Sequence, residues 1–386
     1  MPYTTPTVNY CATVNGTYTS LTGIQSVSIN RGRQRFQDNF TQTNCTIELI
    51  PATTYALPLA VGQFIDVRDT NTSTSPAYFV GVITDIERKY AIPYNSVSTY
   101  APADRITITC AGSTGALGNT TLSNYSLPAS LASYEIFVLA AANNIFDVET
   151  ASFVKNSAQT FSGGALDLVN TLLRTAQLIV DDVDTQRATT DFGFTRALTA
   201  FPAGQGNRVY TFSDAGTVGA YKYSDLQYLS SVQNYFTQVQ VTAAGLATQT
   251  ASSGSAPYNT LVYDTYNAST SDASSLASFI LTTQSFATIT PYSIATNTNL
   301  TATCTTVSQL SNLTDLVGSN KAVNLGSSVT VIFRGTTVTA TIQGINTTFY
   351  PDYATVQLFL SPSLGTAFTL DSTVLGVLDT SRLGFP

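Results

Sequence analysis

The clearest pattern along this chain is short apolar–polar alternation interrupted by Gly, Pro and Asn. In Ser26-Val27-Ser28-Ile29-Asn30 the apolar positions Val27 and Ile29 share one face. Cys45-Thr46-Ile47-Glu48-Leu49 alternates more strongly, with three apolar residues on one side. Phe64-Ile65-Asp66-Val67, Tyr78 to Ile83 and Ile106 to Cys110 continue the series. A period of two over four to six residues, bounded by turn formers, predicts half-buried strands. Residues 1–116 therefore read as an N-terminal β-barrel.

The period changes in the second segment, 117–205. Ser130 to Asn143 reads as a helix, and Ser162 to Ala176 as the clearest one, since Leu166, Val169, Leu172 and Leu173 fall on one helical stripe. Leu178-Ile179-Val180 reads as a strand ending in the acidic turn Asp181-Asp182-Val183-Asp184, with Phe192 to Leu198 as its returning strand. Residues 206–302 mix types. Val209 to Phe212 and Tyr235 to Val241 are predicted strands, and Ala247 to Thr260 a loop. Asp272 to Leu281 is a helix capped by Ser271 or Asp272, with Leu276, Phe279 and Ile280 inward. Residues 303–386 return to alternation and form a C-terminal β-barrel. The expected fold class is mainly β with an α+β insertion: two small β-barrels flanking mixed α/β segments.

The last segment echoes the first. Leu325 to Val331 matches Val61 to Val67, Ile342 to Ile345 matches Phe79 to Val82, and Thr355 to Leu358 matches Thr107 to Cys110. Each set contains an apolar-Gly turn, a strand, a Gly-bearing strand and a closing strand. Internal duplication is the expectation, against the plainer view that any two β domains share such features.

Composition narrows function. Only 10% of residues are charged, against about 25% in an ordinary soluble domain. Such a chain builds a core but has little charge to solvate a free surface, which favours a surface covered by neighbours. The net charge of −7 argues against nucleic-acid binding as the main task. There is no His, which removes Ser-His-Asp and Cys-His catalysis and the commonest metal ligand. Cys11, Cys45, Cys110 and Cys304 form no CxxC pair and read as buried thiols. No secretory signal or membrane-length apolar run is visible. No cofactor is expected.

Candidate chemistry is sparse. The acidic turn lacks the Gly and distal Glu of a calcium loop and reads as a solvated turn. Asp85 and Glu87 share a strand face, but nothing marks a sugar cleft, so they read as surface residues. Arg31, Arg33 and Arg35 alternate along an extended segment and are candidate interface residues, against the alternative of a solvated strand end. Tyr90, Tyr94 and Tyr100 fall in expected loops, as interface anchors, as sugar-stacking surfaces, or folded back on the barrel.

Val27-Ser28-Ile29-Asn30-Arg31-Gly32-Arg33, then Phe36, then Cys45-Thr46-Ile47-Glu48-Leu49, resembles the opening of the hub-type minor tail proteins of long-tailed bacteriophages. Val61 to Val67 and Phe79 to Ile83 are similar to the strands that follow in that family. Tyr223 to Leu226 with Asn234 to Val241, Leu325 to Val331 with Ile342 to Ile345, and Leu375 to Asp379 with Arg382 to Gly384 are similar to its later segments. The resemblance implies a non-enzymatic virion part, a homotrimeric ring at the tip of the tail tube, assembled in the host cytoplasm. It implies as partners the distal tail ring and tail tube proteins, the tape measure protein and tail tip or fibre proteins. The competing readings are a carbohydrate-binding adhesin, a hydrolase, and the distal tail ring protein itself, which would be a hexamer with one barrel per chain.

Overall fold

The computed structural model describes residues 5–12, 19–51, 59–68, 77–90, 104–143, 145, 147–150, 154–182, 197–202, 206–215, 217, 220–229, 235–284, 290–298 and 325–362. The first segment holds β1 (Thr7–Cys11), β2 (Thr19–Ser20), β3 (Ile24–Gly32), β4 (Asn44–Leu49), β5 (Phe64–Arg68), β6 (Ala77–Lys89) and β7 (Arg105–Ala111). Next come α1 (Ser113–Gly118), β8 (Thr121–Leu127), α2 (Ala132–Ala142), β9 (Asp147–Thr150), β10 (Gln159–Gly164), α3 (Ala165–Ala176), β11 (Leu178–Asp181) and β12 (Ala197–Pro202). The third segment holds β13 (Gly206–Ser213), β14 (Asp225–Leu229), β15 (Gln238–Ala243), β16 (Gln249–Ser252), β17 (Thr260–Thr265), α4 (Thr270–Gln284) and β18 (Thr290–Asn297). The chain then forms β19 (Ser327–Phe333), β20 (Thr336–Phe349) and β21 (Ala354–Pro362).

The fold is mainly β, as the alternation predicts, but the two expected barrels are not closed. They are instead joined in one 13-stranded sheet, in the order β14-β18-β21-β20-β3-β4-β7-β6-β5-β1-β2 with β19 and β13 branching from β20. The join is the antiparallel pairing of β20 with β3, from Gly344 opposite Gly32 to Phe349 opposite Val27. β20 can do this because it is long: its first half pairs with β19 and its second half, on the same edge, with β3. One apolar cluster accordingly runs from Val8 to Leu360 and takes in the α3 stripe. A smaller cluster lies between α4 and the β16-β15-β17 sheet, with Val239, Val241, Tyr263, Leu276 and Ile280 at its centre.

The duplication is visible strand by strand. In the first half the pairing runs β3·β4, β4·β7, β7·β6, β6·β5, β5·β1; in the second it runs β14·β18, β18·β21, β21·β20, β20·β19, β19·β13. The bulge after Ile83 in β6 recurs after Ile342 in β20. The Gly62 N–H donates to the Ile83 carbonyl, and the Gly326 N–H donates to the Ile342 carbonyl, at 2.9 and 2.8 Å. These contacts align Ile342–Ile345 with Ile83–Ile86 and Thr355–Leu358 with Arg105–Ile108, displaced from the sequence match by an even number of residues. An even slip keeps every side chain on its face, so alternation alone cannot detect it. The two halves differ in β13, which runs parallel to β19 where β1 runs antiparallel to β5.

Other expectations shift locally. Residues 113–116, assigned to a β-only segment, form α1 together with 117–118. The Ala247–Thr260 stretch contains β16. Helix α4 is capped by Ser269, whose hydroxyl accepts the Asp272 N–H at 3.1 Å, rather than by Ser271 or Asp272. Tyr235 is exposed and does not share the buried face of Val239 and Val241. Residues 192–196, Tyr94, Tyr100, Cys304 and the 375–384 ending lie outside the described residues. Cys11, Cys45 and Cys110 are buried, and Cys45 and Cys110 are free thiols.

At the β3–β20 join, Gly32 has φ +85°. A Cβ there would stand 2.3 Å from the Gln343 carbonyl oxygen and 2.9 Å from the Gly344 Cα. Gly62, also at positive φ, faces open space. Gly32→Ala should therefore cost about 3 kcal/mol or more, and Gly62→Ala only about 1–2 kcal/mol, in urea unfolding of the purified chain. Equal losses would show that the join tolerates separation.

Candidate functional site

The chemistry-bearing residues of the sequence converge where β3 leaves the sheet. Arg31 and Asp181, distant in sequence, form a buried ion pair at 3.1 Å with side-chain exposures of 8% and 3%. Asp181 also accepts the Leu325 N–H at 3.4 Å, linking β11 to the turn before β19. Asp182 accepts the Thr114 N–H at 3.0 Å and the Thr114 hydroxyl at 2.8 Å. Half of the acidic turn is thus buried and hydrogen-bonded, not solvated; Val183 and Asp184 lie outside the described residues. Burial pushes the Asp182 carboxyl up to about 6, with Thr114 opposing and Asp181 adding to the rise.

Arg33 is buried as well. Its Nε donates to Gln343 Oε1 at 2.8 Å and its Nη1 to the Asp38 carbonyl at 3.2 Å. Gln343 in turn donates to the Ser361 hydroxyl at 2.8 Å, so the arginine reaches across β20 to β21. The guanidinium carbon lies 5.1 Å from the Phe36 ring centroid and 4.4 Å from that of Phe40. Phe40 belongs to the large apolar cluster and Phe36 to the small one. Desolvation lowers the Arg33 pKa to about 10, which leaves it charged at neutral pH. The third arginine, Arg35, donates its backbone N–H to Asp38 Oδ2 at 3.0 Å and closes the turn. Two of the three arginines expected at an interface therefore make their contacts within the chain. Strand alternation places Arg31 and Arg33 on one face, but their partners Asp181 and Gln343 are too far away in sequence to be read from it.

The groove beside Arg33, lined by Phe36, Phe40, Asn170, Arg174 and Tyr263, holds no more than about one water molecule. That is too small for a sugar ring. Asp85 and Glu87 both lie exposed on β6. Asp66 is buried and accepts from Arg68 Nε at 2.6 Å and Asn9 Nδ2 at 2.9 Å. Among the described residues no three His, Cys, Asp or Glu side chains group as metal ligands. No helix among them is long and apolar enough to cross a membrane. The arrangement is one of bracing: buried polar groups tie β3, β11, α1 and β20 together.

The architecture matches solved structures along nearly all its length. The 43 kDa tail protein of prophage MuSo2 from Shewanella oneidensis superposes with TM-score 0.58 at 12% identity, covering 92% of this chain and 97% of that one. The tail protein of Neisseria meningitidis MC58 superposes with TM-score 0.62 at 11% identity, covering 93% and 96%. The chain shares the fold of these two tail proteins. No protein-family model and no curated protein sequence matches the chain, so the likeness rests on shape and strand order.

Two outcomes follow from the buried charges. Arg31→Met leaves Asp181 as an unpaired buried carboxylate and should cost about 3–5 kcal/mol, part of which Asp181→Asn added to it should restore; additive losses in a double-mutant cycle would deny the pair. Asp182 has a folded pKa above its unfolded value. Its stabilising contribution is present in full below about pH 4 and is lost as pH rises through about 6. The melting temperature should therefore rise between pH 7.5 and pH 5. Asp182→Asn should remove the part of that rise, about 1 kcal/mol over this pH interval, that this residue supplies.

Proposed function

We propose that this chain is a structural, non-enzymatic hub of a phage tail, forming a homotrimeric ring at the tip of the tail tube. The observation that carries the reading is the match to two tail proteins over nearly the full length of both chains. The duplicated strand unit supports the trimer: three chains, each built twice, make a roughly six-fold ring. The charge-poor surface supports a covered position. So does α2, which leaves Tyr134 and Phe137 exposed with ring centroids 6.2 Å apart. In this reading the protein resides in the virion tail. The distal tail ring, the tube, the tape measure protein and the tip or fibre proteins are its neighbours.

Native mass spectrometry of the purified chain tests the reading. A trimer is the expected mass. A hexamer would move the assignment to the distal tail ring, and a monomer at every concentration would remove the self-assembling ring.

A further inference from the structure

The duplication leaves one pairing of the second half without its counterpart in the first. In the second half, the outer edge of β20 beyond its bulge is occupied by β3. In the first half, the equivalent edge is Thr84–Lys89 of β6, beyond the Ile83 bulge. It pairs with β7 on one side and, among the described residues, with no strand on the other. The Ile86 N–H takes its own neighbour's carboxylate, Asp85 Oδ1, at 2.9 Å in place of a strand carbonyl. The unit that β3 opens has its own counterpart in β14, and β14 is the terminal strand of the large sheet. Among the described residues, each chain therefore carries one socket and one edge, of the kinds already joined inside it, that no strand occupies.

We propose that β14 of one copy of this chain pairs antiparallel with the Thr84–Lys89 edge of β6 in the next copy, reproducing between chains the β3–β20 join. The proposal rests on the ring reading and names its seam. Its register follows from the internal one. Because β18 pairs with Asp225–Leu229 as β4 pairs with Ser26–Asn30, Val27 corresponds to Leu226 and Ser28 to Gln227. Because Ile83 corresponds to Ile342, Tyr90 corresponds to Phe349 and Lys89 to Thr348. Tyr90 then faces Leu226, Lys89 faces Gln227 and Glu87 faces Leu229.

Three features of the free surfaces fit that register. Tyr90 is 58% exposed, whereas its counterpart Phe349, opposite Val27 in the internal join, is 2% exposed; the seam sets Tyr90 opposite Leu226. Lys89 lies diagonal to Asp225 on one sheet face, which places an ammonium within reach of a carboxylate. The two edges differ, so the contact is head-to-tail and repeats from chain to chain until it closes. Backbone pairing of this kind depends little on side-chain charge, which suits a chain so poor in it.

The Lys89–Gln227 pair corresponds to Thr348–Ser28, which alternates with the hydrogen-bonded Arg33–Gln343 pair and so belongs to the close, non-hydrogen-bonded class suited to a disulfide. The test uses the full chain carrying Lys89→Cys and Gln227→Cys together, oxidised with copper phenanthroline. It should give a reducible ladder of covalent multimers ending at the copy number found by native mass spectrometry. Either single variant should give none, and an equimolar mixture of the two should stop at dimers. A multimer in solution with no ladder would overturn this seam and leave the ring standing; a parent chain that stays monomeric would overturn both.

Discussion

A buried guanidinium between two apolar clusters is the constraint on which the rest of this structure depends. Arg33 lies against Phe40 of the large core and Phe36 of the small one, and hydrogen-bonds to Gln343 of β20. Removing a charge from water is costly, and the cost is met only where ring faces and fixed acceptors replace the lost hydration. That requirement holds β3, β20 and the turn carrying Phe36 in one mutual position. Arg31 with Asp181 and Thr114 with Asp182 extend the same logic to β11 and α1. The result is a braced joint in a chain otherwise held by apolar burial and strand pairing.

The joint sits where two copies of one folding unit meet. Strand pairing is local and repeatable, so a duplicated unit reproduces its internal register without reference to its twin. The contact between twins needs something else. Here it needs two glycines opposite each other, Gly32 and Gly344, because a Cβ on either would strike the facing backbone. Close backbone approach and a buried arginine immediately beyond it are two parts of one solution. The first lets the strands meet, and the second stops them from sliding.

This arrangement suits a part whose task is to hold shape. The Thr114 hydroxyl and the Asp182 carboxylate are buried against each other, and the groove beside Arg33 is too narrow for a substrate ring. The likeness to tail proteins at near-full coverage is a likeness of strand order with almost no identity of sequence. Such divergence is what packing constraints permit when pattern and volume are kept and individual side chains are not.

The alternation of apolar residues was enough to place most strands, the helices α2, α3 and α4, and the relation between the first and last segments. Those features depend on neighbours a few residues away, and period and turn chemistry record them. The echo was legible for Leu325–Val331 but misplaced for the later strands, since an even slip leaves the pattern of faces unchanged. Whether the halves close separately or share one sheet was decided only in the fold. A strand edge has the same sequence pattern whether it returns to its own barrel or pairs with another unit. The site was legible only in part, for the same reason. The run Arg31–Arg35 was visible as unusual, but the burial of its charges depends on Asp181, Gln343 and Phe40 arriving from elsewhere. Asp182 likewise looks solvated in sequence, because a carboxylate's surroundings are set by residues far along the chain.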